Sequence, residues 1–204
     1  WKSRARPLMT ISDHPGSDSR MTDRDRWNAK FLAGEAQLNE RDPFLIEACS
    51  ALPPGRALDL AGGAGRHSLW LAQRGWTVPL ATVSDAGVAR ARQRFAQARV
   101  SVSLRRESAA ETLAWAREGH RFDLMLVFLF LLREHFAELP TLLAPGGHLL
   151  YKTYTADHAR FQQGHSLRFA LHPGELRAAF PSLNTRVDRE SDGIAELLAQ
   201  QPGG

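Results

Sequence analysis

The sequence predicts an α/β domain built on a mostly parallel, doubly wound sheet, and three observations carry that reading. Residues 56–75 run strand, glycine loop, helix, written RALDLA, GGAG and RHSLWLAQRG. The same alternation recurs to about residue 155. Between them, FDLMLVFLF at 122–130 is a continuous apolar run bounded by charge, as a central strand buried on both faces requires.

Taken in order, the chain opens with WKSRARPLMTISDHPGSDSR, a stretch of Ser, Pro, Gly and charge without periodicity. Residues 1–21 are therefore expected to be a disordered leader or extension, with Met21 as a natural start and a single folded domain over 22–204. RDRWNAKFLAG at 24–34 suggests a short helix, and Asp42 with Pro43 supplies the N-cap and first position of another, PFLIEACSAL, which ProProGly at 53–55 stops. After the first strand and loop, Gly75 ends the helix that contains Leu69, Trp70 and Leu71. TVPLATV then reads as a strand, DAGVARARQRFAQA as a helix with Val88, Ala91 and Phe95 on one side, VSVSL as a strand and SAAETLAWAREG as a helix. Beyond the central strand, REHFAELPTLLAPGG and GHLLYKTYT continue the alternation. HPGELRAAF is a short helix with Pro173 near its start, and NTRVDRESDGIAELLAQQ reads as two strands meeting in a turn at Ser191-Asp192-Gly193. No period of 20 to 50 residues repeats, and no second domain is visible.

With 204 residues, 43% of them apolar and 24% charged, the chain can bury one sizeable core. No apolar run approaches the roughly 20 residues that cross a bilayer, and the N-terminus lacks a secretory apolar segment, so the default expectation is a cytoplasmic protein with no membrane partner. The first twenty residues hold four Lys/Arg against two Asp and supply about half of the net charge of +4. Cys49 lies among apolar residues at helical spacing and is expected in the core; one cysteine permits no disulfide within the chain and no cysteine-based metal site. The histidines, at 14, 67, 120, 135, 148, 158, 165 and 172, show no ligand spacing on one helix, so no metal is expected. Arg90, Arg92, Arg94, Arg99, Arg105 and Arg106 lack interleaved aromatics and read as a solvated face rather than a specific nucleic-acid surface.

The sharpest signal is Asp59-Leu60-Ala61-Gly62-Gly63-Ala64-Gly65 between a strand and a helix. Small residues at 61, 63 and 65 let a ligand approach the backbone, and the helix start offers free N–H groups. A dinucleotide wants Gly-x-Gly-x-x-Gly, which Ser68 interrupts while remaining small enough to keep that reading open. Asp59 favours a ligand with an amino group and a sulfonium near the loop, because a carboxylate there would repel a pyrophosphate. A tight turn that binds nothing is the third reading.

RALDLAGGAGRHSLWLAQRGWTV resembles the first motif of the class I S-adenosylmethionine-dependent methyltransferases, especially their small tellurite-resistance-like branch. RWNAKF is similar to that branch's N-terminal cap, SDAGVARARQR to its second helix, LLAPGGHLLYKTYT to its fifth strand and lead-in, and HPGELRAAF to the helix before its last hairpin, so the resemblance covers about residues 22–201. It implies a Rossmann-like sheet of seven strands with the last antiparallel, S-adenosylmethionine as cofactor, and methyl transfer to a small-molecule acceptor. It places Asp59, Ala61, Gly63 and Gly65 around the methionyl part of the cofactor, Trp27 and Arg66 toward its carboxylate, and Glu107 near the adenine amino group.

The resemblance also implies an Asp or Glu at the end of the second strand, where two carboxylate oxygens accept both ribose hydroxyls; this chain has Thr82. Asp85, three residues on, is expected to cap the next helix. Pro79 removes a ladder donor and predicts a distorted or edge-like strand start. Leu129 and Leu132 make the wall after the fourth strand apolar, and no Asn/Asp-Pro-Pro-aromatic motif follows it. Should a base be needed, His135, His158, His165 and Tyr154 fall in loops past the strands. The leading expectation is thus a methyltransferase; the alternative, motivated by Thr82, Leu129 and Leu132, is a methyltransferase-fold protein that binds without catalysing. A nicotinamide-linked oxidoreductase is the third possibility, and it too would want an acid at 82.

Overall fold

A computed structural model of the chain describes residues 21–34, 40–164 and 166–203. Residues 1–20 of the expected leader and His165 lie outside the described residues.

Seven strands form one sheet in the order β3-β2-β1-β4-β5-β7-β6. They are β1 (Ala57–Leu60), β2 (Pro79–Ala81), β3 (Ser103–Arg105), β4 (Phe122–Phe128), β5 (Leu143–Tyr154), β6 (Asn184–Ser191) and β7 (Ile194–Gln200). The first five pair in parallel, and β7 enters antiparallel between β5 and β6. The hairpin turns at Asp192 (φ 51°) and Gly193 (φ 73°), the left-handed pair that a two-residue turn between twisted strands demands.

Helices cover both faces. On one side, α2 (Pro43–Cys49), α3 (Arg66–Ala72) and α4 (Asp85–Ala98) bury Phe44, Leu45, Trp70, Leu71, Ala91 and Phe95 against β1, β2 and β4. On the other, α5 (Ala109–Leu113) and α7 (Glu175–Ala178), with 3-10 turns at Arg133–His135 and Leu139–Leu142, pack around Met125, Phe136, Tyr151 and Phe180. α1 (Asp23–Ala33) lies at the carboxyl ends of the strands against α4, and α6 (Ala159–Gln162) follows β5. Among the described residues no helix is long and apolar enough to cross a membrane.

Local chemistry sets the boundaries. Asp42 accepts from Phe44 N at 3.0 Å and caps α2, and its Oδ1 also receives Lys152 Nζ at 3.0 Å. Because Lys152 also meets Glu196 at 2.8 Å, α2, β5 and β7 share one partly buried ion-pair cluster. Ser108 and Glu111 form a reciprocal capping box on α5. Cys49 is buried as its spacing predicts, and burial pushes its thiol up to about 12, which keeps it protonated and inert.

Three expectations are corrected, and that for Pro79 holds in one of its two forms. Asp85 does not cap α4: Ser84 does, accepting from Gly87 N at 3.0 Å, while Asp85 pairs with Arg24 at 2.7 Å and Arg106 at 3.4 Å. β2 is an interior strand, not an edge; Pro79 sits at its first residue, where the pairing with β1 is interrupted between the Arg56–Thr77 bridge and Leu80, so its start is distorted. REHFAELPTLL winds only into 3-10 turns because Pro140 lacks the N–H an α-helix needs. The fifth strand starts at Leu143 rather than at the glycines, its pairing with β4 shifting register between Phe122 and Leu124.

The segment after β4 is held by one phenol. Tyr151 is fully buried; its hydroxyl donates to Phe130 O at 2.9 Å and accepts from Leu132 N at 3.0 Å. Tyr151→Phe leaves both backbone groups unserved and is expected to lower unfolding free energy by about 1–3 kcal/mol with an unchanged m-value. Urea titration measures it, and a loss below about 0.5 kcal/mol would show that the bridge does not hold this segment.

Candidate functional site

The glycine loop leaves β1 with φ alternating in sign: Ala61 at 57°, Gly63 at 56° and Gly65 at 72° are left-handed. Gly62 N donates to Ala81 O at 3.1 Å and Gly65 N to Gly62 O at 2.9 Å, which ties the loop to β2 and closes it on itself. Beneath it lies Asp59, 1% exposed, whose Oδ2 accepts from Ser68 Oγ at 2.6 Å and Ser68 N at 3.2 Å. A side chain at Gly62 would collide with that carboxylate, its Cβ falling 2.4 Å from Asp59 Cγ. Burial raises Asp59 from the ordinary 3.8 to about 6, against the opposing effect of Ser68 and Arg66. At neutral pH it therefore remains charged and accepts both bonds.

From above, α1 closes on the loop. Asn28 Oδ1 accepts from Ser84 Oγ at 2.7 Å and Ala86 N at 3.1 Å, while Asn28 Nδ2 donates to Asp85 at 3.3 Å. This docking sets the Phe31 ring over Gly63, where an added Cβ would lie 3.0 Å from Phe31 Cζ. The result is a narrow cleft of about 60 Å³ between the loop and α1.

Trp27, Ala61, Gly63, Thr82 and Glu107 line this cleft, so five of the eight cofactor-contact candidates meet at one place. Phe31, Val83, Ala109, Phe128, Leu129 and Phe130 complete its wall. The remaining three stand elsewhere. Asp59 lies under the loop, Gly65 is buried against Phe95 and Leu80, and Arg66 donates to Glu40 O at 2.7 Å. Leu132, expected in the wall with Leu129, is 5% exposed in the core.

Thr82 follows β2 and is 5% exposed; its N–H donates to Arg105 O at 3.0 Å, and its Oγ1 accepts a long 3.4 Å contact from Ser84 N. Glu107 N donates to Thr82 O at 3.1 Å, and both residues line the cleft. Its Oε2 is out of reach of solvent and has no hydrogen-bond partner among the described residues. Such an acceptor typically costs about 1–3 kcal/mol, more for a charge, until a donor arrives.

Among the described residues, four non-glycine residues have positive φ. Arg99 ends α4 and Asp192 sits in the hairpin turn, both ordinary places; the other two, Ala61 and Leu129 (φ 55°), line the cleft. Each carries a strain on the order of 1–2 kcal/mol, and strain of this kind gathers where a site is shaped.

None of the described candidate bases, His135, His158 and Tyr154, lines the cleft. His135 Nδ1 contacts Glu138 at 2.8 Å; His158 Nδ1 accepts from Arg160 N at 3.3 Å, and its ring stands 4.6 Å from that of Tyr154. His67 is buried against Phe128, and burial with nearby Arg66, Lys152 and Arg94 lowers it to about 3, so it is a neutral core group. Among the described residues no three His, Cys, Asp or Glu side chains converge as a metal site would need. Of the arginine group, Arg106 is paired with Asp85, and Arg105 lies 5.8 Å from the Trp115 ring centre, an aromatic neighbour that sequence spacing did not reveal.

Residues 57–147 match a family described as a methyltransferase domain. No curated protein matches the chain. Among solved structures, TehB from Haemophilus influenzae superposes with a TM-score of 0.68 at 16% identity over 84% of this chain; the chain spans 66% of TehB, slightly under two thirds. The N-methyltransferase NodS from Bradyrhizobium japonicum in complex with S-adenosyl-L-homocysteine gives 0.64 at 20% identity, covering 87% of this chain and 100% of that one. The magnesium protoporphyrin IX methyltransferase from Synechocystis, with the same ligand bound, gives 0.64 at 15% identity over 87% and 97%. At these identities the likeness is one of fold.

Because Asp59 ionises near 6 when folded and near 3.8 when free, it binds its proton more tightly in the native state. Its contribution to stability is fullest below 3.8 and is lost as pH rises through about 6. In Asp59→Asn that loss is absent. Between pH 4 and 7 the stability difference is therefore expected to move in the variant's favour by about 2 kcal/mol, read from paired urea titrations. A difference that stays flat would mean the carboxylate is not desolvated.

Proposed function

We propose that this chain, whose residues 57–147 match a family described as a methyltransferase domain and whose sheet has the methyltransferase strand order, transfers a methyl group from S-adenosylmethionine to a small acceptor with an apolar body. One observation carries the reading: the cleft at the carboxyl ends of β1 to β4 joins a strained glycine loop, an apolar wall and a single unserved carboxylate. These features fit the cofactor. Ala61 and Gly63 would admit its chain close to the backbone, Trp27 and Phe31 would cover it, and Val83, Ala109 and Phe128 would enclose its base. Thr82 and Glu107 supply side-chain oxygens for its polar groups.

When bound, the sulfonium supplies an activated methyl group. The protein's task is then to align the acceptor and keep water away. Leu129 and Phe130, fixed by Tyr151, form an apolar wall suited to that task. Since no histidine, lysine or tyrosine is among the described residues of the cleft, the acceptor should bring its own nucleophile, a neutral amine or a thiolate. We place the protein in the cytoplasm, with no specific nucleic-acid or membrane partner.

A second reading, a binding module without turnover, draws on Thr82, whose small hydroxyl replaces a bidentate carboxylate. Calorimetry with S-adenosylhomocysteine and labelled methyl transfer to a panel of apolar amines and thiols separate the two. The first reading expects a Kd on the order of micromolar and at least one methylated product. No binding and no product with any acceptor would overturn it, while binding without product would favour the second.

A further inference from the structure

Of the described residues that line the cleft, Glu107 alone is ionisable. The other nearby acids are already engaged: Asp59 by Ser68 beneath the loop, Asp85 by Arg24, Asn28 and Arg106 outside it. Glu107 forms no ion pair among the described residues, and its Oε2 is closed to water without a donor. In a doubly wound sheet, a nucleoside's ribose hydroxyls are met by an acid at the end of the second strand, because a carboxylate accepts two hydroxyl bonds at once. Here that strand ends in Thr82, which cannot do so.

Backbone pairing puts the two residues together. Thr82 N donates to Arg105 O and Glu107 N donates to Thr82 O, continuing the β2–β3 ladder so that Thr82 stands opposite Arg106. Glu107 is the next residue, its own N–H bonded to Thr82. Past the ends of these strands, which lie about 4.8 Å apart, Thr82 and Glu107 both line the same cleft.

We infer that Glu107 is the ribose-binding carboxylate of this protein, the acceptor for the sugar hydroxyls having passed from the second strand to the third. It is a specificity residue, selecting ligands with an intact vicinal diol. This departs from the adenine-amino contact that family resemblance gives the position. It rests on the S-adenosylmethionine reading above.

The test is a binding cycle by calorimetry on the full chain, with no turnover required. S-adenosylhomocysteine, its 2′,3′-dideoxy analogue and its 6-desamino analogue are titrated into the unmodified protein, Glu107→Gln, Thr82→Asp and the double variant. Glu107→Gln is expected to weaken the parent ligand about 10- to 100-fold, and the dideoxy analogue by less than about threefold, since its diol is already gone. Thr82→Asp should gain little while Glu107 is present, because two carboxylates would crowd one diol, yet restore most of the affinity in the Glu107→Gln background. Thermal melts without ligand check that each variant folds; if Glu107→Gln does not, Glu107→Ala and the ligand analogues carry the same comparison.

Non-additivity with the desamino ligand instead would overturn the assignment and return Glu107 to the adenine. Equal gains from Thr82→Asp in both backgrounds would overturn it as well. Parent-ligand binding that is indifferent to Glu107→Gln would remove only this inference. No parent-ligand binding by any of the four proteins would remove the cofactor reading with it.

Discussion

The carboxylate of Asp59, buried under the glycine loop and bound twice by Ser68, is the contact on which the cleft is built. It joins the last turn of β1 to the first turn of α3, so the loop between them has only one way to run. Gly62 must pass over that carboxylate without a side chain, and Ala61 and Gly63 are turned left-handed toward the cleft. A charged group in such a place is stable only while its bonds are made. Ser68 therefore fixes the loop with the force of a charge-assisted bond rather than that of an ordinary turn. The acid does structural work from beneath the loop.

The roof follows from that floor. Because the loop is fixed, Gly63 offers a flat place for Phe31, and Asn28 holds α1 there by completing the N-terminus of α4. One side chain thus serves as part of a helix cap and as the anchor of α1 over the loop. The 3.0 Å approach of Phe31 to an imagined Cβ at Gly63 means that any larger residue there would push α1 outward. Cover and loop are a matched pair, and the cleft between them is narrow.

Element order was legible in the sequence because period carries it: alternating units for the parallel strands, one long apolar run for β4, and SerAspGly for the hairpin. Trp27 with Phe31 was half legible. Their spacing of four puts them on one helix face, yet RWNAKF does not say that the face meets the glycine loop, which is a tertiary fact. Asp59 shows the limit more sharply. Its position in the motif announces importance, but whether a carboxylate turns toward a ligand or under its own loop depends on a donor nine residues away, Ser68. Ser84 and Asp85 are neighbours with equal capping propensity, and the choice between them was made by Asn28, Arg24 and Arg106 from other elements. Where one competent residue competes with the next, local propensity cannot decide.

The opposite wall is rigid for a different reason. Leu129 holds a left-handed backbone that leucine avoids, its N–H bonded to Lys152 O at 2.7 Å, and Tyr151 secures the carbonyl of Phe130 and the N–H of Leu132. Lys152 is itself fixed by Asp42 and Glu196. Strain on Leu129 is thus opposed by hydrogen bonds on both sides of it and by an ion-pair cluster one strand away. A wall held so firmly, and made of Leu129, Phe128 and Phe130, offers shape and dryness but no proton transfer. Methyl transfer from a sulfonium is a reaction for which shape and dryness suffice when the nucleophile arrives unprotonated. Under the proposed reading, specificity then rests on the fit of the acceptor against these three apolar side chains.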